Sequence, residues 1–500
     1  SLNKQIGLPE PSSNPRDHGL SFINVAGYGS IGDEYNNPQN GITSTFQLLD
    51  HLTWTRGRHL FKFGGDVRIQ RQEAFRDVLS RGLISFTGFT GNGLAELLQG
   101  LPTVTSVSRI DNPQNLRTQS YNFFAQDQWK LTSRVTLTLG ARYEYNRPAY
   151  DANDRASVYD TASRSLIKLG TISGTRGAFL PDRNNFAPRL GLAFSARTGT
   201  VLRAGYGIYY DQAPLAPGEG VYFNSPYFQL KTYFIGQNYL LFLQNPYPAD
   251  FPFALPDSAV TFQRDYRTAY SQHWSLNLQQ SLGRGRVVEV GYVGTKGTKL
   301  MAGRDGNQAA PSTARLNLRP DPRWGDITYI ESRGNSNYHA LQARFEQRMT
   351  RGLSVLASYS AGKSIDDASN FFSSAGDPNF PMDSNRVSLE RARSSFDVRQ
   401  RMTMAYVLDL PFGRNRWYGG WQTNGVWTFQ TGRPFTVALL SDLDRSNTGR
   451  TSYGFGANDR PNRIGNGALS NPTPERWFDT SAFALQPFGS FGTSGRNILD

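Results

Sequence analysis

Five hundred residues without a single cysteine exclude a disulfide framework and a thiolate metal site. Only 38% are hydrophobic while 13% are aromatic, and no run approaches the roughly 18 apolar residues of a membrane-spanning helix. A formal net charge of +13 invites a nucleic-acid reading, but the arginines crowd short turns (Arg56, Arg58, Arg134, Arg197, Arg284, Arg286, Arg351) instead of one helix or stripe, which argues against it.

Along the chain, strand-like segments come in pairs. The first places Phe46, Leu48, Leu52 and Trp54 on one face, turns at Arg56-Gly57 and returns through Phe61, Phe63, Val67 and Ile69. The second sets Tyr121, Phe123, Ala125 and Trp129 against Val135, Leu137, Leu139, Ala141, Tyr143 and Tyr145 across Thr132-Ser133, with polar residues at the alternate positions. The third joins Leu190, Leu192 and Phe194 to Leu202, Ala204, Tyr206, Ile208 and Tyr210 near Arg197–Gly199. The fourth runs from Tyr270 to Leu282, turns at Gly283–Gly285 and returns through Val288, Val290 and Tyr292. The fifth pairs Leu341–Met349 with Leu353–Tyr359 across Arg351-Gly352, and the sixth pairs Val398–Leu408 with Trp421–Phe429 across Pro411–Gly413. Such period-two alternation marks strands with one apolar and one polar face. Asp50, Asp127, Gln272 and Gln280 fall on the nominally apolar side.

The pairs are separated by polar stretches at about 72–118, 146–185, 211–268, 301–335, 361–394 and 432–500. Short turn and long connection alternate without a slip, so all long connections share one end of the strands. An outer-membrane barrel needs that parity, with short periplasmic turns and long extracellular loops. A soluble antiparallel sheet with one wet face explains the alternation but not the parity. The fold class expected is therefore all-β, an antiparallel up-and-down transmembrane β-barrel of which about 12–16 strands are present, counting further strands at 21–29 and 434–441. Trp54, Trp129, Tyr145, Tyr210 and Trp421 stand near strand ends, as an aromatic girdle requires. Gly93–Leu101 reads as one short helix stopped by Gly100.

No motif carries chemistry. The five histidines are isolated, and Gly362-Lys363-Ser364 lacks the first glycine of a phosphate-binding loop. Asp366-Asp367 and Asp442/Asp444 lack the calcium-loop pattern. Neither catalytic residues nor a metal or cofactor is expected. The aromatic patch Tyr222, Phe223, Tyr227 and Phe228 is the candidate for ligand contact, and packing of the loop on itself is the competing explanation.

Several segments resemble the TonB-dependent receptor superfamily, specifically its Oar-like barrel proteins. They include WTRGRHLFKFGGDVR (54–68), LAELLQGLP (94–102), SYNFFAQDQWKLTSRVTLTLGARYEYNRP (120–148), TVLRAGYGIYYD (200–211), GGWQTNGVWTFQTGRPFTV (419–437) and DRPNRIG (459–465). The resemblance implies a 22-stranded barrel in the Gram-negative outer membrane, bedded in lipid and lipopolysaccharide. It implies an N-terminal plug and a short box that engages the TonB complex, used to import a scarce extracellular solute. Residues 1–500 then read as part of the barrel domain, with plug, box, any small regulatory-like N-terminal domain and the final strands outside the sequence. Oar-like members imply a second role as well, in outer-membrane structure, adhesion or handling of other proteins.

Overall fold

The structure, a computed structural model, describes all residues except 111–112, 213–219, 237–238, 250–256, 315–317, 371–379, 414–416, 418, 440–443 and 450–458. Twelve long strands dominate it: β1 Gln39–Arg56, β2 His59–Arg76, β3 Gln114–Lys130, β4 Val135–Asn146, β5 Phe186–Arg197 and β6 Thr200–Tyr210, then β7 Tyr270–Gly283, β8 Arg286–Asp305, β9 Ile327–Thr350, β10 Leu353–Asp366, β11 Gln400–Asp409 and β12 Gln422–Gln430. Each pairs antiparallel with the next, so their order across the sheet is their order along the chain. The sheet does not close on itself among the described residues, and β1 and β12 are its edges.

The tight turns follow from backbone handedness. Arg284 and Gly285, like Arg351 and Gly352, take positive φ together (52° and 73°, 54° and 77°), which is the type I′ geometry that matches strand twist. Gly57 alone is positive in the first hairpin (60°), the type II′ choice. The sixth connection is longer than the expected Pro411–Gly413 turn. It spans Leu410 to Trp421, where the Leu410 N–H donates to the Trp421 carbonyl at 2.8 Å.

Cross-strand register turns single-strand alternation into continuous bands. Val135, Phe194, Leu202, Leu278, Val290, Ala343, Tyr359, Met402 and Phe429 are successive partners across nine strands. One residue on, Thr136, Ala193, Arg203, Asn277, Gly291, Gln342, Ser360, Arg401 and Gln430 form the opposite, mostly polar row. The apolar row is not a core, since Leu278, Met402 and Phe429 are 48%, 41% and 63% exposed. The polar exceptions have local partners: Asp127 Oδ2 lies 2.7 Å from His59 Nδ1, while Gln272 and Gln280 accept from Tyr206 and Thr200 hydroxyls at 2.9 and 2.6 Å.

The wall grows taller toward the long connections. β8 and β9 run 20 and 24 residues, about twice the 9–11 that cross a bilayer. Register shifts between Gly297, Leu300 and Ala302 break the period there, which hid the added length in the sequence. The buried hydrophobic clusters lie at this same end. One gathers Leu116, Val158, Leu169, Val221, Tyr222, Phe262 and Ile330 from loops and strand ends. Another supports a five-stranded sheet in the order 228–234, 104–110, 83–86, 22–25 and 29–31, with the helix Gly93–Gln99. Gly100 ends that helix at φ 69° as expected. Strands 22–25 and 29–31 thus belong to a separate loop-end sheet, whereas of the expected strand 434–441 residues 434–439 contribute the bridge between Phe435 and Leu499 and 440–441 lie outside the described residues.

Candidate functional site

The polar face of the wall is lined by hydrogen-bonding and charged side chains. Asp66 accepts from Asn122 Nδ2 at 2.9 Å and also from Gln47, while Arg142 Nε donates to Glu144 at 2.7 Å. Farther round, Asn277, Glu289, Gln342, Arg344, Ser360 and Arg401 border a groove of about 440 Å³. Arg203 Nη1 donates to Gln279 Oε1 at 2.6 Å beside it.

The loops fold inward over this face. On β3 the even positions Gln114, Leu116, Thr118, Ser120 and Asn122 are buried, while Phe123 on the other side is 53% exposed. Gln212, just after β6, accepts from Arg68 Nη1 of β2 at 2.6 Å, so the connection after β6 reaches a strand four places away. Asn146 Nδ2 of β4 donates to the Asp211 carbonyl at 3.2 Å on the way. The parallel pairing of 259–262 with 327–330 extends the roof over β9.

Buried polar groups pin the roof. Arg319 joins Asp305 at 3.0 Å to Asp326 at 2.7 Å, and Asn307 Nδ2 lies 2.9–3.0 Å from the carbonyls of Asp321, Trp324 and Gly325. The segment 459–500 is held by two buried ion pairs, Arg460 with Glu390 and Arg496 with Asp366. Asp367 pairs with Arg391 at 2.8 Å, so the Asp366-Asp367 doublet serves arginines here. Asp444 accepts from the backbone of Thr448 and Gly449 at 3.0 and 2.7 Å, and Asp442 lies outside the described residues. No group of three or more metal-ligating side chains occurs among the described residues.

A family model described as an outer membrane beta barrel domain matches residues 1–500. The chain belongs to that family. No curated protein matches it. Among solved structures, the outer membrane transporter YddB from Escherichia coli is similar at 12% identity and TM-score 0.49, covering 86% of this chain and 48% of that one. The siderophore receptor PirA from Acinetobacter baumannii is similar at 11% identity and TM-score 0.45, covering 83% of this chain and 46% of that one. The chain spans about half the length of these structures.

For an outer-membrane barrel, the apolar rows face lipid, the polar face lines the lumen, the tight turns are periplasmic and the roof is extracellular. Trp54 and Trp129 lie near the periplasmic turns, with Trp421 just before β12; Tyr145 and Tyr210 lie at the extracellular ends of β4 and β6. Tyr145 stacks on Tyr121 with centroids 6.2 Å apart, and Tyr210 packs on Tyr270 at 5.5 Å. From the level of Trp129 to Tyr145 the strand runs roughly 27 Å, or about 21 Å of height at barrel tilt.

The loop aromatics lie within the roof. Tyr222 is fully buried and its hydroxyl donates to Asp151 Oδ2 at 2.5 Å. Burial first, and then that bond, push the hydroxyl well above its ordinary range, so it stays a neutral donor. Phe228 is buried in the strand 228–234, and its ring meets Phe223 edge-on at 5.1 Å. Tyr227 is half-buried beneath the Arg155 guanidinium at 5.4 Å. Beside Tyr222 lies a cavity of about 60 Å³, reached by Asp151, Asp182 and Asp211. Burial pushes the Asp211 carboxyl up. Nothing in the sequence announced the Arg68–Gln212 and Arg319 contacts, because their polar partners lie within or at the edge of unpatterned connections.

Proposed function

We propose that this barrel is the membrane domain of a TonB-dependent receptor that captures a scarce solute and imports it by energy-coupled movement of a plug. The observation that carries the reading is the inward-folded roof. Twelve strands with two unpaired edges belong to a barrel too wide for side chains to fill. Here Gln212 reaches Arg68 four strands away and a buried cluster packs beside the wall, as expected of a receptor that captures its solute before admitting it. The wall and turn segments resembling the superfamily point the same way. Solute capture falls to the roof and to the polar groove, with Phe223 and Tyr227 as the partly accessible members of the aromatic patch. The TonB complex would be engaged by the N-terminal part that the resemblance implies. No step involves covalent chemistry.

Uptake assays test this. A deletion strain should lose accumulation of one solute class, and loss of TonB alone should reproduce the defect. Uptake that persists without TonB overturns it.

A second reading, an adhesion or protein-handling role without import, is favoured by one observation. Tyr28, Phe89 and Leu98 on the extracellular five-stranded unit are 62%, 75% and 80% exposed. Loss of surface attachment in the deletion strain with all uptake intact would support it.

A further inference from the structure

At the periplasmic end of the first hairpins, four rings form one continuous strip. Trp54 stacks on Phe61 at 5.4 Å, Phe61 on His59 at 5.5 Å, and His59 on Trp129 at 5.3 Å. All four share the register of Leu52 and Phe63, so the strip lies on the lipid-facing side. It borders a groove of about 450 Å³ whose other wall is the turn carrying Arg56 and Arg58.

No carboxylate pairs with the two arginines of this groove among the described residues. Arg56 sits over the Trp54 ring at 5.7 Å, and Arg58 Nη1 donates to the Leu131 carbonyl at 3.1 Å. Asp127 and Asp50 are the carboxylates on this face; Asp127 is held by His59 at 2.7 Å, and Asp50, farther up β1, accepts from the His51 backbone at 2.8 Å. Two guanidiniums therefore stand at headgroup height above an aromatic strip that continues into Leu52, Phe63 and Leu137. A cationic cap on an apolar strip fits an amphiphile with an anionic head. A soluble periplasmic protein would meet the turn tips but not the strip.

We propose that this groove binds a phospholipid with an anionic headgroup in the periplasmic leaflet of the outer membrane. The phosphate sits between Arg56 and Arg58, and an acyl chain lies along Trp54, Phe61, His59 and Trp129. The site is independent of what the barrel transports.

The full chain, purified from outer membranes in detergent, would be titrated with phosphatidylglycerol and with phosphatidylethanolamine of the same chains, and bound lipid counted by intact-protein mass spectrometry. One phosphatidylglycerol should be retained in preference to phosphatidylethanolamine. The Arg56→Gln/Arg58→Gln double variant should lower that preference about 10- to 30-fold, as expected for two interfacial arginines. Heat-modifiable gel mobility would confirm that the variant is folded. Arg284→Gln/Arg286→Gln, at another periplasmic turn, should leave the preference unchanged. Equal retention of both lipids, or an unaltered preference in the first variant, overturns the site. An equal loss in the second variant reduces it to diffuse rim charge and also overturns it. Displacement of the lipid by inorganic phosphate would mark a free-anion site instead.

Discussion

The wall and the roof of this molecule are built by opposite rules. In the wall, neighbouring strands are neighbours in sequence, polar and apolar rows alternate, and the apolar row is left exposed for lipid. In the roof, partners stand far apart in sequence, and carboxylates and guanidiniums are buried with the hydrophobic clusters. A barrel in lipid has a polar interior and an apolar exterior, so the hydrophobic core migrates to the part that meets water on all sides. The wall takes its stability from backbone ladders and lipid, the roof from side chains.

The difference is testable first where it is largest. Arg496→Met leaves the Asp366 carboxylate buried without its partner, at a cost of about 3–5 kcal/mol. Proteolysis should then cut within 459–500 while the folded barrel keeps its gel mobility. Loss of that mobility would mean that wall and roof are one cooperative unit. Next, Leu276→Arg puts a charge on the lipid face and should cost about 2–4 kcal/mol in bilayer unfolding, whereas Asn277→Arg on the lumen face should be close to neutral. Equal costs would reverse the assignment of the two faces.

The roof should also respond to pH. Burial pushes the Asp77 carboxyl up to about 6, with Asp17 adding to the rise against the opposing Arg16 guanidinium. The folded roof therefore binds that proton more tightly than the unfolded chain. The resulting stability is present below the ordinary carboxylate range and is lost as pH rises through about 6. Residues 1–38 should resist protease better near about pH 5 than about pH 7.5, and Asp77→Asn should abolish the difference. The smallest effect belongs to the turns. Gly57→Ala at φ 60° meets no neighbour within 4 Å, so it should cost only backbone strain, about 1 kcal/mol, measurable as faster unfolding.

The wall was legible because a two-residue period and a glycine turn are local signals. All six strand pairs and the Gly100 helix stop appear where the sequence places them. Legibility failed where locality failed. The extra length of β8 and β9 lies beyond bulges that reset the period, and the sixth connection continues past its Pro-Phe-Gly stretch. Tyr222 stood open between ligand contact and loop packing, because nothing near it in sequence announces Asp151 or the cluster it fills. Asp305, Arg319 and Asp326 look like ordinary loop charges until the fold encloses them.

The reach of the roof contacts sets an order of assembly. The wall's tight hairpins close over a few residues, whereas Arg68–Gln212, Thr105–Pro246 and Arg496–Asp366 span 144, 141 and 130 residues. Closing such spans costs more chain entropy and becomes favourable only after the strands between them are in place. On these separations the wall is expected to form first and the loops to pack on it afterwards, which protection of the loops from protease during refolding would time. The same inequality makes the roof the first part to come undone, leaving the wall standing with its polar face bare.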